Sequence, residues 1–326
     1  MNRKRNATVD GLRFVCNILV VVLHAGMFPS SVPASIECTI LSTLSDAAWW
    51  LSIPVLFVIS GWCFFNGFEH VTFQWWVGKL RNRWWRLLVP FLLWGAIFTA
   101  LYCFLGNMSP RVAERLAEHR MTDFIGYVRM VFNFNDYVLY GPLWFLRALF
   151  VCALVSPIIG YALVVGIRTC WHRMMVLGLI CLGGYAIGYV IQGKGWVVCP
   201  CYGFVCFGVG AWLAINGVRM LRFRGCRVLR LFTAVGNSRW CQKWLLPTGM
   251  FVYVTHLFVN RIVQYSLCGH LIGGVGRLSV LFIVSFVVST VFPIAVWHFM
   301  NRYCPRILAL LDGHGYHQVI LKDRMG

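Results

Sequence analysis

A chain of 326 residues that is 60% hydrophobic and only 12% charged, with a mean hydropathy of +0.72, lacks the charge needed to cover a soluble domain. Its net charge of +19 would suggest nucleic acid in a water-soluble protein, but cations placed between apolar runs follow the insertion rule of membrane proteins instead. Fourteen cysteines lie mostly singly within apolar runs, with no C-x2-C pair and an isolated Cys199-Pro200-Cys201, which argues against a disulfide framework and against a metal site.

In chain order, eight segments have the roughly 20 apolar residues that a helical span requires: 12–28, 47–65, 87–106, 141–166, 174–192, 196–216, 245–267 and 278–301. The first follows Arg3, Lys4 and Arg5 without a convincing small-residue cleavage site and reads as a retained span. The longest connections are 107–140 and 217–244, and the first of these carries Glu114, Glu118, Asp123 and several Arg, a pattern that suits a short surface helix. Alternating the spans from an inside N-terminus puts twenty Lys and Arg on the inside and six outside, with Arg13, Arg147 and Arg261 at or within spans. The expected fold is therefore an all-α polytopic bundle of about eight spans, a single membrane-embedded domain over 1–326 with both termini cytoplasmic, and its charge needs no nucleic-acid partner.

An ionisable group in the hydrocarbon costs at least about 2.5–3.5 kcal/mol on insertion scales, so each one present needs a partner or a task. Arg13 and His24 share the first span. Eleven residues separate them, close to three helical turns and roughly 16 Å, so both point to nearly the same face and define one polar seam from the cytoplasmic rim to mid-membrane. Asp10, three residues before Arg13, is a candidate partner at the rim. Singly, Arg13 reads as a snorkelling rim residue and His24 as an interhelical hydrogen bond. In the second span Ser60 and Gly61 permit close helix approach. The run from Lys79 to Arg86 contains Arg81, Arg83, Trp84 and Trp85; the insertion rule accounts for it, and it also suits a phosphate-rich ligand with an aromatic base. Trp144 is a stacking platform for a sugar or an interfacial anchor. Arg147 lies deeper and calls for an anionic ligand, backbone carbonyls or a lipid phosphate. In the seventh span, Tyr253 and His256 either line the acceptor side or simply pack. The tail residues His314 and His317 have metal-like spacing only and read as a solvated tail.

Five short motifs in order resemble the acyltransferase-3 family of bacterial membrane proteins that O-acylate carbohydrates. They are Arg13-x10-His24, the segment Phe57-Val58-Ile59-Ser60-Gly61, the basic run leading to Pro90, Gly141-Pro142-Leu143-Trp144-Phe145-Leu146-Arg147, and Tyr253-Val254-Thr255-His256. The resemblance is nearest to the compact O-acetyltransferase branch. It implies a plasma-membrane protein that uses acyl-CoA, usually acetyl-CoA, as a cytoplasmic donor, a carbohydrate or glycolipid hydroxyl as acceptor, and no permanently bound cofactor. It also implies catalytic roles for His24 and Arg13, donor binding by Lys79, Arg83 and Arg86, and a substrate side that includes Ser60, Trp144, Arg147, Tyr253 and His256. The family commonly shows ten spans, and its Arg-x3-Arg pattern stands here as Lys79-x3-Arg83.

On that reading His24 is the best base in the chain, with an unperturbed pKa near 6.5 suited to proton transfer. It either deprotonates the acceptor hydroxyl or carries the acyl group itself. The rival expectation is a transporter of an anionic or sugar-linked substrate, which intramembrane Arg and His serve equally well, although no internal duplication is visible.

Overall fold

The computed structural model describes residues 6–28, 32, 34–68, 70–106, 141–164, 200–217, 227–271 and 276–313. The expected span 174–192, the expected surface helix within 107–140 and the tail pair His314 and His317 lie outside the described residues. Among those residues every regular element is helical. They are α1 (Ala7–Ala25), α2 (Ile36–Phe65), α3 (Phe73–Arg83), a π-turn (Trp84–Leu88), α4 (Val89–Gly106), α5 (Leu143–Leu154) and α6 (Ser156–Val164). There follow α7 (Pro200–Ile215), α8 (Arg227–Asn237), α9 (Arg239–Trp244), a 3-10 turn (Leu246–Thr248), α10 (Gly249–Leu271), α11 (Arg277–Tyr303) and α12 (Pro305–Leu311). Four stretches are long and apolar enough to cross a membrane: α1, α2, Phe73–Leu101 and α11. Residues 143–154 of α5 and 203–215 of α7 are shorter apolar helices. The all-α membrane architecture expected from the sequence is what the chain adopts.

The chain divides into two compact units, Met1–Cys63 with Leu213–Pro305, and Phe64–Trp212 with Arg306–Gly326. In the first, α1 is packed by α8, α10 and α11. Its start is fixed by Asn6, whose side-chain oxygen accepts from the Val9 amide at 3.3 Å, with Asp10 in the first turn where the helix dipole favours a carboxylate. Val9, Ile59 and Trp62 form a buried cluster joined by Leu12, Val55, Leu213 and Ala214. The stretch 217–244, a connection by apolar run length, contains two helices, α8 and α9. In α8, Leu229, Phe232 and Val235 recur at helical spacing, which makes one side apolar. Contact with α1 is backbone to backbone: a Cβ at Gly11 would meet the Phe232 carbonyl, and one at Gly236 would meet the Ala7 main chain. Thr233 donates to the Leu229 carbonyl at 2.8 Å, so in its 2.8 Å contact with Thr8 it is the acceptor.

The same unit solves an N-terminus by a cap from another helix. Gly276 precedes α11 with φ +77°, a left-handed conformation open to glycine, and it has no side chain to cap the helix. Glu37 of α2 takes that role, accepting from the Gly276 and Ser279 amides at 3.2 and 2.6 Å and from the Ser279 hydroxyl at 2.6 Å.

In the second unit, two prolines set the irregularities. Pro90 offers no N–H to the Arg86 carbonyl four residues earlier, and the helix widens into the π-turn just before it, with the Val89 amide bonding the Trp84 carbonyl. Gly313, at φ +66°, packs its main chain against Arg86. The basic run is therefore helical. Pro157 likewise releases the Ala153 carbonyl, which the Ser156 hydroxyl takes at 2.7 Å and the Trp76 indole N–H at 3.4 Å. The expected single span 141–166 is accordingly broken at Val155 into α5 and α6.

Candidate functional site

The first unit builds a polar seam between α1 and α10. Asn17 donates to the Gly249 carbonyl at 3.1 Å, and the His24 and His256 rings meet at 3.1 Å. Both contacts join residues 232 positions apart, so the two helices run parallel and in register. Parallel direction agrees with the alternation that made these the first and seventh spans. Above the histidines, Asn260 donates to the His24 carbonyl at 2.6 Å and Gln264 to the Ala25 carbonyl at 3.0 Å. Both are last-turn carbonyls of α1, and that of His24 also takes the Met27 amide at 3.3 Å, so α10 adds side-chain donors to the C-terminal end of α1. His256, Asn260 and Gln264 are all buried, at 0, 1 and 0% exposure, and their i, i+4 spacing places them on one stripe.

The histidine pair has a defined hydrogen order. His256 Nδ1 lies 2.7 Å from the Tyr253 carbonyl and 3.1 Å from that of Val252, and His24 Nδ1 lies 2.9 Å from the Val20 carbonyl. A carbonyl oxygen only accepts, so the network assigns a hydrogen to each Nδ1. His256 Nε2 then accepts from His24 Nδ1–H, which is shared with Val20. The rings meet edge on, with centroids 4.8 Å apart and planes at 63°. What remains is the His24 Nε2 lone pair, which has no hydrogen-bond partner among the described residues, on a side chain that is half-buried rather than sealed. An imidazole so held presents a base with its other nitrogen already fixed by an acceptor.

The other residues singled out in the sequence divide between the units. Arg13 is half-buried on α1, three turns before His24 on the same side, and no hydrogen bond or ion pair ties it to another described residue. The expected Asp10 pairing is therefore not made. Ser60 is half-buried on α2, beside the Ile59 and Trp62 cluster. Tyr253 is buried on α10 with its ring 6.0 Å from that of His256. In the second unit, Lys79 donates to the Phe64 carbonyl and lies 5.5 and 5.7 Å from the Phe64 and Trp75 ring centroids. Arg83 lies 5.6 Å from the Phe64 centroid, whereas Arg81 and Arg86 are exposed. Trp144 and Arg147 are half-buried on α5, whose buried side is Leu143, Phe145, Leu146, Leu149 and Cys152. Among the described residues no three His, Cys, Asp or Glu side chains come together as metal ligands.

Asn17, Asn260 and Gln264 were not singled out from the sequence. Asn17 continues the Arg13 and His24 stripe by one turn, and the other two repeat the His256 position every four residues. Polar residues in phase with a known one were the available signal.

Compared with protein families, residues 6–238 match the acyltransferase-3 model, described as an acyltransferase domain, which is well over half of the chain. The chain belongs to the acyltransferase-3 family. As an acyltransferase-3 protein it is a multi-pass membrane enzyme that transfers an acyl group. No curated protein and no solved structure matches it. The matched stretch contains Arg13, His24, Ser60, the basic run, Trp144 and Arg147. Tyr253, His256, Asn260 and Gln264 of this acyltransferase-3 chain lie beyond it.

Proposed function

We propose that the enzyme moves an acyl group, acetyl by default, from cytoplasmic acyl-CoA to a hydroxyl of a carbohydrate or lipid-linked glycan in a bacterial plasma membrane. The observation that carries this reading is the His24 Nε2 lone pair, on a half-buried ring whose Nδ1–H is already engaged. Nε2 takes the proton of the acceptor hydroxyl as its oxygen attacks the thioester carbonyl. The tetrahedral adduct collapses, the C–S bond breaks, and the proton passes from Nε2 to the departing sulfur to give the free thiol. While Nε2 holds the proton, His256 Nε2 and the Val20 carbonyl accept from Nδ1–H and stabilise the imidazolium, so His256 acts as a positioning residue. For the donor, the cations Lys79, Arg83 and Arg86 suit its phosphates, and Arg13 adds a charge at the start of α1. Ser60, Trp144, Arg147 and Tyr253 are assigned to the substrate side. No group stays bound between turnovers.

Two results test this. Protein in nanodiscs supplied with [14C]acetyl-CoA is expected to pass label to glycan extracted from the source cells, and those cells should lose ester-linked acetyl groups from their glycans when the gene is deleted. Unchanged glycans together with altered uptake of a solute would favour transport instead. The positioning role has its own readout. Losing one partner of a buried hydrogen bond costs about 1–3 kcal/mol, which in a barrier is roughly 5–150-fold. His256→Ala is expected to lower kcat by that factor with the KM for acetyl-CoA unchanged. His256→Gln, whose amide oxygen can accept from His24, should recover much of the loss, and equal losses in both variants would contradict the role.

A further inference from the structure

Arg261 stands five residues beyond His256 on α10, half-buried at the far end of the seam. Its Nη1 donates to the Met27 carbonyl at 3.0 Å and to the Gln264 amide oxygen at 3.1 Å. Gln264 is itself fully buried and fixed through its own donation to the Ala25 carbonyl, so the guanidinium is locked in place from behind. Both partners are neutral. Among the described residues no carboxylate pairs with this cation, although an intramembrane charge calls for one. A guanidinium has five N–H groups in a fixed fork. With the two on Nη1 engaged, the edge formed by Nε and Nη2 is left over, and that edge makes the two parallel hydrogen bonds by which arginine grips a carboxylate or phosphate. The Met27 carbonyl that holds Nη1 is three residues past His24, so whatever binds there lies near the base. A second atom is also left over: Asn260 Oδ1 is buried with no hydrogen-bond partner, while its amide nitrogen holds the His24 carbonyl. A free acceptor and a free cationic fork beside one base match a ligand with both hydroxyl groups and an anionic group.

We propose that the Nε and Nη2 edge of Arg261 binds a carboxylate or phosphate on the acyl acceptor, so that the substrate class is an anionic carbohydrate. The proposal rests on the acyl-transfer reading for the word acceptor, and on the geometry alone for the anion. An anion on this fork also places negative charge near the ring that becomes imidazolium, which favours proton uptake as the hydroxyl attacks.

Binding can be measured without turnover, by tryptophan fluorescence of the full chain in nanodiscs titrated with methyl glucuronide, glucose 1-phosphate and methyl glucoside. One of the two anions is expected to bind the wild type at least roughly ten-fold more tightly than the neutral sugar. Preference for the glucuronide identifies a carboxylate, and preference for glucose 1-phosphate identifies a phosphate. Arg261→Gln should erase the difference, while Arg261→Lys, which keeps the charge and loses the fork, should keep part of it. Wild-type protein that binds neither anion more tightly than methyl glucoside overturns the proposal without any variant, as does a preference that survives Arg261→Gln. Arg261-dependent binding without label transfer from [14C]acetyl-CoA would uphold the anion site and reject acyl transfer. Transfer of label to the glucuronide and to glucose 1-phosphate that Arg261→Gln leaves unchanged would do the reverse.

Discussion

His24→Ala is expected to give a protein that inserts and purifies like the wild type and transfers acyl groups about 10²–10⁴-fold more slowly, the usual worth of a positioned general base. The ring packs against His256 and shares its Nδ1–H between His256 Nε2 and the Val20 carbonyl within α1, so its loss removes one contact between the two helices and leaves α1 held by the Asn17, Asn260 and Gln264 amides. Steady-state label transfer in nanodiscs, alongside size-exclusion profiles of both proteins, separates chemistry from folding. Turnover near that of the wild type would remove His24 from the reaction. A stable acyl-enzyme trapped on the wild-type ring after brief exposure to donor would replace the base role with the covalent one.

The second large effect is on folding. Gly236→Val is expected to lower thermal stability by several degrees or prevent accumulation, because its Cβ meets the Ala7 main chain, which is backbone and has no rotamer to yield. Overpacking a close contact costs about 1–3 kcal/mol and more where backbone must move. Gly78→Ala serves as the matched control. It lies in α3 with nothing within 4 Å of an added Cβ, so the exchange should be neutral or stabilising by roughly 0.5–1 kcal/mol. Melting curves of the two variants in detergent decide the matter. Equal stability would mean that α1 and α8 are not pressed together.

Much of the fold could be read from apolar run length alone, because a bilayer imposes that length on the chain. Apolar run length gives 12–28 for the first span, and the helix is Ala7–Ala25, since Asn6 supplies the cap and polar residues such as Asp10 still belong to the first turns. Run length fails where chemistry inside the segment overrides it. Pro157 broke 141–166, and the Ser156-Pro157 pair was the available sign. Between 217 and 244 the strong cue was cationic charge, which hid the apolar side of α8. Polar residues on α10, among them His256, Asn260, Arg261 and Gln264, make that helix too polar to stand with the four long apolar ones, although it packs on α1 along the seam.

The site was half legible. Helical phase put Arg13 and His24 on one side of α1, and the structure keeps them there. No sequence rule joins residue 24 to residue 256, however, since that pairing depends on which helices become neighbours. The sequence leaves His256 open between the acceptor side and plain packing, and the structure places it directly against His24.

The offset of 232 shared by the Asn17 and His24 contacts makes residue number a gauge of depth common to α1 and α10 over that stretch. A single residue inserted between Arg13 and His24 would swing one of them about 100° around the helix, off the wall that the other still faces. Only additions near a whole number of turns would keep both in line, and these would lengthen the distance between them by about 5 Å each. The count of residues in this stretch is therefore the constrained quantity, while the apolar side chains within it are free to vary wherever they do not touch α8, α10 or α11.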